Sequence, residues 1–145
     1  MIATVVLAAT LDACHILTKA DIASVQGEAY TAAKLTTRDA RDQCFYELPT
    51  FSKSVSIDLT RKGGRDFWEK TFEGEHESEA DEKATPPAKV GGVGSEAFWV
   101  GSRVSGSLYV RKGDKVLRVS VGGPGDDKEK LAKSKKLALI ALKRL

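Results

Sequence analysis

Strict alternation of apolar and polar residues marks two parts of this chain. Val55, Ile57 and Leu59 interleave with Ser54, Ser56 and Asp58, the period of a strand with one buried face, so Lys53 to Thr60 is read as a strand. Leu108 and Val110 alternate with Tyr109 and Arg111. After a Lys112-Gly113-Asp114 turn, Leu117, Val119 and Val121 resume the apolar face. That pattern predicts an antiparallel hairpin. Gln43 to Leu48 and Glu96 to Val100 read as further strands, with Pro49 to Ser52 turning the chain between the first of these and Lys53.

Three helices punctuate the strands. Thr18 is placed to cap a helix, with Asp21 three residues on as in a capping box, Leu17 and Ile22 as a hydrophobic staple, and Gly27 as the stop. Gly63-Gly64 breaks the strand before it. Asp66 then opens a second helix, in which Phe67 and Trp68 precede Thr71 and Phe72 by four positions. Glu73 to Lys83 holds almost no apolar residue and reads as a solvated helix end or loop. The last helix, Asp126 to Leu145, gathers Leu131, Ala138, Ala141, Leu142 and Leu145 near one face. Acids in its first turn and Lys143 and Arg144 in its last suit the helix dipole.

Residues 43–72 and 96–145 follow one plan of strand, strand and helix, a weak repeat. The expected class is α+β: an antiparallel sheet of about five to six strands, with three helices packed mainly on one face. Residues 12–145 form a single domain, as 145 residues suit one core. Met1 to Leu11 is apolar apart from two threonines. It fits a signal-peptide hydrophobic region, the start of a core helix or a buried strand, and export is the reading adopted.

Composition narrows the function classes. No apolar run reaches the 18 residues that a membrane-spanning helix needs. A formal net charge of +3 creates no chain-wide field for nucleic acid. Gly91-Gly92-Val93-Gly94 lacks the Lys-Ser/Thr that follows a phosphate-cradling loop and reads as the entry to a strand. Neither His15 nor His76 sits in a ligand cluster, and no Ser-His-Asp set or carboxylate pair is legible, so the reading is non-enzymatic, without metal or cofactor. Cys14 and Cys44 lie 30 positions apart. Spacing alone leaves open a bridge, two buried thiols, or a catalytic or metal thiol.

The run Cys14-His-Ile-Leu-Thr-Lys-Ala-Asp-Ile, followed by Cys44-Phe-Tyr, Gly92-Val-Gly-Ser-Glu-Ala-Phe-Trp and Leu108-Tyr-Val-Arg-Lys-Gly-Asp, resembles a family of small bacterial secreted and lipoprotein domains. Members begin Cys-x-Leu-Leu-Thr-x-x-Glu and carry a second cysteine about thirty residues later. The resemblance implies a Cys14–Cys44 disulfide, a location outside the cytoplasm (secreted, periplasmic or cell-surface) and no established catalytic residue. Any membrane attachment would come from an anchor, not from the folded domain.

If helices cover the apolar sheet face, alternation puts Asp58, Tyr109, Arg111 and Arg118 on the other, and Trp99 can belong to either. Tyr and Arg are frequent binding hot spots. The expected function is therefore an envelope binding domain that engages a protein or a glycan through this face. The alternative is an inhibitor of a secreted hydrolase, with its contacts on loops such as Glu73–Lys83.

Overall fold

A computed structural model describes residues 12–73, 87–101 and 106–145. Met1 to Leu11 and most of the acidic stretch, including His76, lie outside the described residues. The helices are α1 (Lys19–Gln26), α2 (Gly64–Trp68) and α3 (Asp127–Leu142). The strands are β1 (Ala32–Arg38), β2 (Arg41–Glu47), β3 (Val55–Thr60), β4 (Ala88–Lys89), β5 (Glu96–Gly101), β6 (Gly106–Lys112) and β7 (Lys115–Val121). All seven belong to one sheet in the order β1-β2-β3-β7-β6-β5-β4, and every neighbouring pair is antiparallel. The class is α+β, as the sequence pattern indicates, with the Cys14–Cys44 disulfide that the resemblance implies, and among the described residues the sheet has two strands more than the patterns mark out. The additions are its two edges, β1 and β4. Six of the seven β1 residues are exposed, so no apolar alternation announces it.

The repeat is visible as two three-stranded meanders, β1-β2-β3 and β5-β6-β7, joined where β3 pairs with β7. The helices that follow them go to opposite faces. α1 and α3 cover the face carrying Val55, Ile57 and Leu59 of β3, Leu108 and Val110 of β6, and Leu117 and Val119 of β7. Ile22 of α1 and Leu137, Ala138 and Ala141 of α3 join these residues in one buried core. α2 crosses the other face, where Phe67 and Phe72 meet Tyr109 at ring distances of 6.4 and 5.5 Å. Trp68 and Phe72 also pack on Phe98. No two-fold axis normal to the sheet can therefore relate the halves.

Local chemistry sets the ends of α1 as anticipated, whereas α2 opens at Gly64, not at Asp66, and α3 ends at Leu142, so that Lys143 and Arg144 fall just beyond its last turn. Thr18 and Asp21 form a reciprocal capping box, and Gly27 ends α1 in the left-handed region at φ 80°. Asp126 caps α3 by accepting from Glu129 N at 2.9 Å.

Three ties hold the opening segment to this frame. Cys14 is bonded to Cys44 on β2, the buried Tyr46 hydroxyl donates to the Ala13 carbonyl, and Arg144 Nη1 donates to Ile16 O and to Asp21 Oδ2, each at 2.6 Å. The last contact links the end of α3 to the capping carboxylate of α1. Burial disfavours ionised Asp21, but hydrogen bonds from Arg144 and Thr18 prevail and hold its pKa below the ordinary 3.8.

Two outcomes follow. Replacing both cysteines with serine removes the closed loop from the unfolded chain and lowers stability by about 3–4 kcal/mol, read as a shift in the urea midpoint. A carboxylate whose pKa is lowered by folding contributes stability above its unfolded value, lost as pH falls through the folded one. Arg144→Ala should accordingly lower the urea midpoint at pH 7 and flatten the wild-type decline as pH falls below about 4; an equal decline in both proteins would refute this role of Asp21.

Candidate functional site

The register brings one side chain from each of six strands into a single row on the α2 face. Phe98 pairs with Tyr109, Tyr109 with Arg118, Arg118 with Asp58, Asp58 with Gln43, and Gln43 with Thr36. A second row beside it runs Arg111, Val116, Thr60, Arg41 and Arg38. Because side chains alternate between faces, members of each row stand side by side across the strands.

Between the rows and α2 lies a groove of about 340 Å³, with Phe67 and Tyr109 as one wall and Asp58, Arg118, Gln43 and Arg41 among its floor residues. A second hollow of about 260 Å³ continues from it toward the β1–β2 end, past Thr36 and Arg38. Arg41, Gln43 and Asp58 line both.

The floor is held by its own polar contacts. Arg118 Nε donates to Asp58 Oδ2, and its Nη1 donates to Ser107 Oγ at 3.2 Å. Ser107 Oγ in turn lies 2.5 Å from Ser120 Oγ. Both members of the ion pair are largely covered, so it meets less solvent screening than a surface pair.

The aromatic wall depends on how α2 begins. Asp114, in the β6–β7 turn, accepts from Gly63 N and Arg65 N at 3.0 Å each, which holds its carboxyl below the usual range. Gly64 N donates to the Asp114 carbonyl at 2.9 Å. The approach is close enough that a Cβ on Gly64 would fall 2.2 Å from that oxygen. At the far end of α2, Trp68 Nε1 donates to Glu96 Oε2 at 3.1 Å.

Of the residues the sequence singled out, Asp58, Tyr109 and Arg118 meet in the groove. Arg111 shares their face but is engaged structurally: its Nη1 donates to Gly113 O at 3.0 Å, and its Nη2 lies 3.6 Å from Glu96 Oε1. Trp99 belongs to the opposite face, in the core beneath the helices. Gly106 makes room for its ring, since a Cβ there would come within 2.1 Å of Cζ2.

Residues that sequence reading missed complete the groove: Arg38, Arg41, Gln43 and Thr36 from the β1–β2 hairpin, and Phe67 from α2. Alternation from Cys44 carries the signal for Gln43 and Arg41, because a buried Cys44 puts both on the Asp58 face. Nothing local signals Phe67, whose position follows from the docking of α2.

Among the described residues, no three His, Cys, Asp or Glu side chains gather as a metal site, and no helix is long and apolar enough to cross a membrane. The inhibitor reading placed its contacts on Glu73–Lys83, of which residues 74–83 lie outside the described residues. Comparisons with protein-family models, curated proteins and solved structures return no match. Fold and site together define a disulfide-tied α+β domain with a half-open groove on its sheet.

Gly64→Val should drive α2 off the β6–β7 turn and cost about 1–3 kcal/mol. The Tyr109 and Trp68 near-ultraviolet signals should change with it, whereas Gly91→Ala, where a Cβ meets nothing within 4 Å and the backbone is not left-handed, should leave those signals as they are.

Proposed function

We propose that this chain is a non-enzymatic binding domain of the bacterial cell envelope, working outside the cytoplasm and engaging a protein or glycan through the groove beside α2. The observation that carries the reading is the groove itself, in which a fixed Asp58–Arg118 pair and an aromatic wall adjoin exposed polar side chains. Binding sites commonly combine apolar walls with a few well-placed polar groups. A floor already locked by hydrogen bonds loses little freedom when a ligand arrives.

The compartment is supported by the Cys14–Cys44 bond. Disulfides persist in secreted and periplasmic proteins and are rare where glutathione keeps thiols reduced. The likeness of the cysteine motifs to secreted and lipoprotein domains points the same way. In this reading the domain carries no cofactor and takes no nucleic acid, and membrane attachment would come from an anchor outside the fold.

Gln43→Ala tests the reading, since Gln43 is an exposed groove residue and its loss should change stability by no more than about 0.5 kcal/mol. Co-sedimentation with purified cell-wall material should weaken in Gln43→Ala and persist in Lys136→Ala, on the far side of the molecule. Equal retention of both variants with wild type would remove the groove from the binding surface.

A further inference from the structure

The β1–β2 end of the groove carries more positive charge than the fold uses. Arg38 and Arg41 are direct cross-strand partners flanking the Asp39-Ala40 turn, and both line the hollow. Like charges placed opposite one another on an antiparallel pair oppose the pairing. Neither guanidinium forms an ion pair or hydrogen bond among the described residues, and Asp39 between them pairs with neither. The acids nearby are already committed: Asp42 to Arg61 and Asp58 to Arg118. Two unpaired guanidiniums therefore face one hollow, each offering the planar fork of donors that fits a carboxylate.

Along the row leading away from this end, the groups change character. Gln43 and Thr36 offer an amide and a hydroxyl, Asp58 keeps Oδ1 free of partners among the described residues, and Tyr109 with Phe67 closes the far end. Tyr109 and Thr36 are four strands apart in the row, about 19 Å at the usual strand spacing. An elongated ligand with hydroxyls along its edges, an apolar face for the aromatic wall and a carboxylate that reaches the arginine end matches that sequence of groups.

We propose that Arg38 and Arg41 form the anion subsite of this groove and that the ligand is a carboxylate-bearing glycan. The inference deepens the envelope-binding reading and rests on it. The guanidiniums take the sugar carboxylate, the Asp58–Gln43–Thr36 row takes hydroxyls, and Tyr109 and Phe67 pack against the ring face. The uncompensated pair at the hairpin end is a cost of folding that the bound anion relieves.

Tetragalacturonate is the probe, with its fully methyl-esterified form as a neutral control of the same length, and binding is followed by calorimetry and by amide chemical shifts on the intact domain. The acid should bind with shifts confined to β1, β2, β3 and α2, and at least roughly tenfold more tightly than the ester, as expected for one charge-assisted contact. Arg41→Gln and Arg38→Gln should each weaken the acid by roughly tenfold and leave the ester unchanged. Neither variant should lower Tm, and each should raise it slightly by removing the like-charge pair.

Equal binding of acid and ester with groove-confined shifts overturns the anion subsite while the binding-domain reading stands. Equal or tighter binding of hexaglutamate or polyphosphate overturns the glycan assignment. No binding of either galacturonate probe, while Gln43→Ala still impairs retention on cell-wall material, overturns this inference alone; loss of that retention effect as well removes the binding-domain reading with it.

Discussion

The antiparallel ladder between β3 and β7 is the constraint on which the rest of the molecule depends. It joins the two meanders in one sheet and sets Ile57 against Val119 and Leu59 against Leu117 on the helix-covered face. The same register sets Asp58 against Arg118 on the other face. Since side chains alternate strictly along a strand, a shift of one residue would exchange the two faces, exposing the apolar set and burying the ion pair. Burial of Ile57, Leu59, Leu117 and Val119 thus enforces the geometry of the groove floor, although none of these four lines the groove.

Each face is closed differently. On one, α1 and α3 bury a continuous aliphatic core, and the disulfide, the Tyr46–Ala13 contact and Arg144 secure the segment that leads into α1. On the other, α2 lies over β5, β6 and β7 with its aromatic rings on the β5–β6 side and leaves the β1–β2–β3 side open. Partial cover turns a flat sheet surface into a groove with one apolar wall and one polar, positively charged end. A fully covered face would leave no site there, and a bare one would lack the wall.

The aromatic cluster also changes the meaning of residues that look alike in the sequence. Arg111 and Arg118 both alternate outward on neighbouring strands. Arg111 is spent on Glu96 and the Gly113 carbonyl beside α2, while Arg118 is spent on Asp58 at the groove floor. Trp99 and Phe98 are adjacent in the chain and lie on opposite faces, one in the aliphatic core and one under α2.

By itself the sequence determined the elements whose signals are local. The period-two patterns at Val55–Leu59 and Leu108–Val121, the capping box at Thr18 and the glycine stop at Gly27 each depend on a few neighbouring residues, and each stands where local chemistry puts it. Alternation likewise placed Asp58, Tyr109 and Arg118 together on one face. Tertiary structure decided what depends on partners distant in the chain: the exposed edge strands β1 and β4, held by pairing and not by buried side chains; the face to which α2 docks; the allegiance of Trp99; and the meeting of Arg38 and Arg41 with the Asp58 row. The physical reason is that periodicity reports which residues share a side of an element, whereas only packing between elements settles what that side confronts.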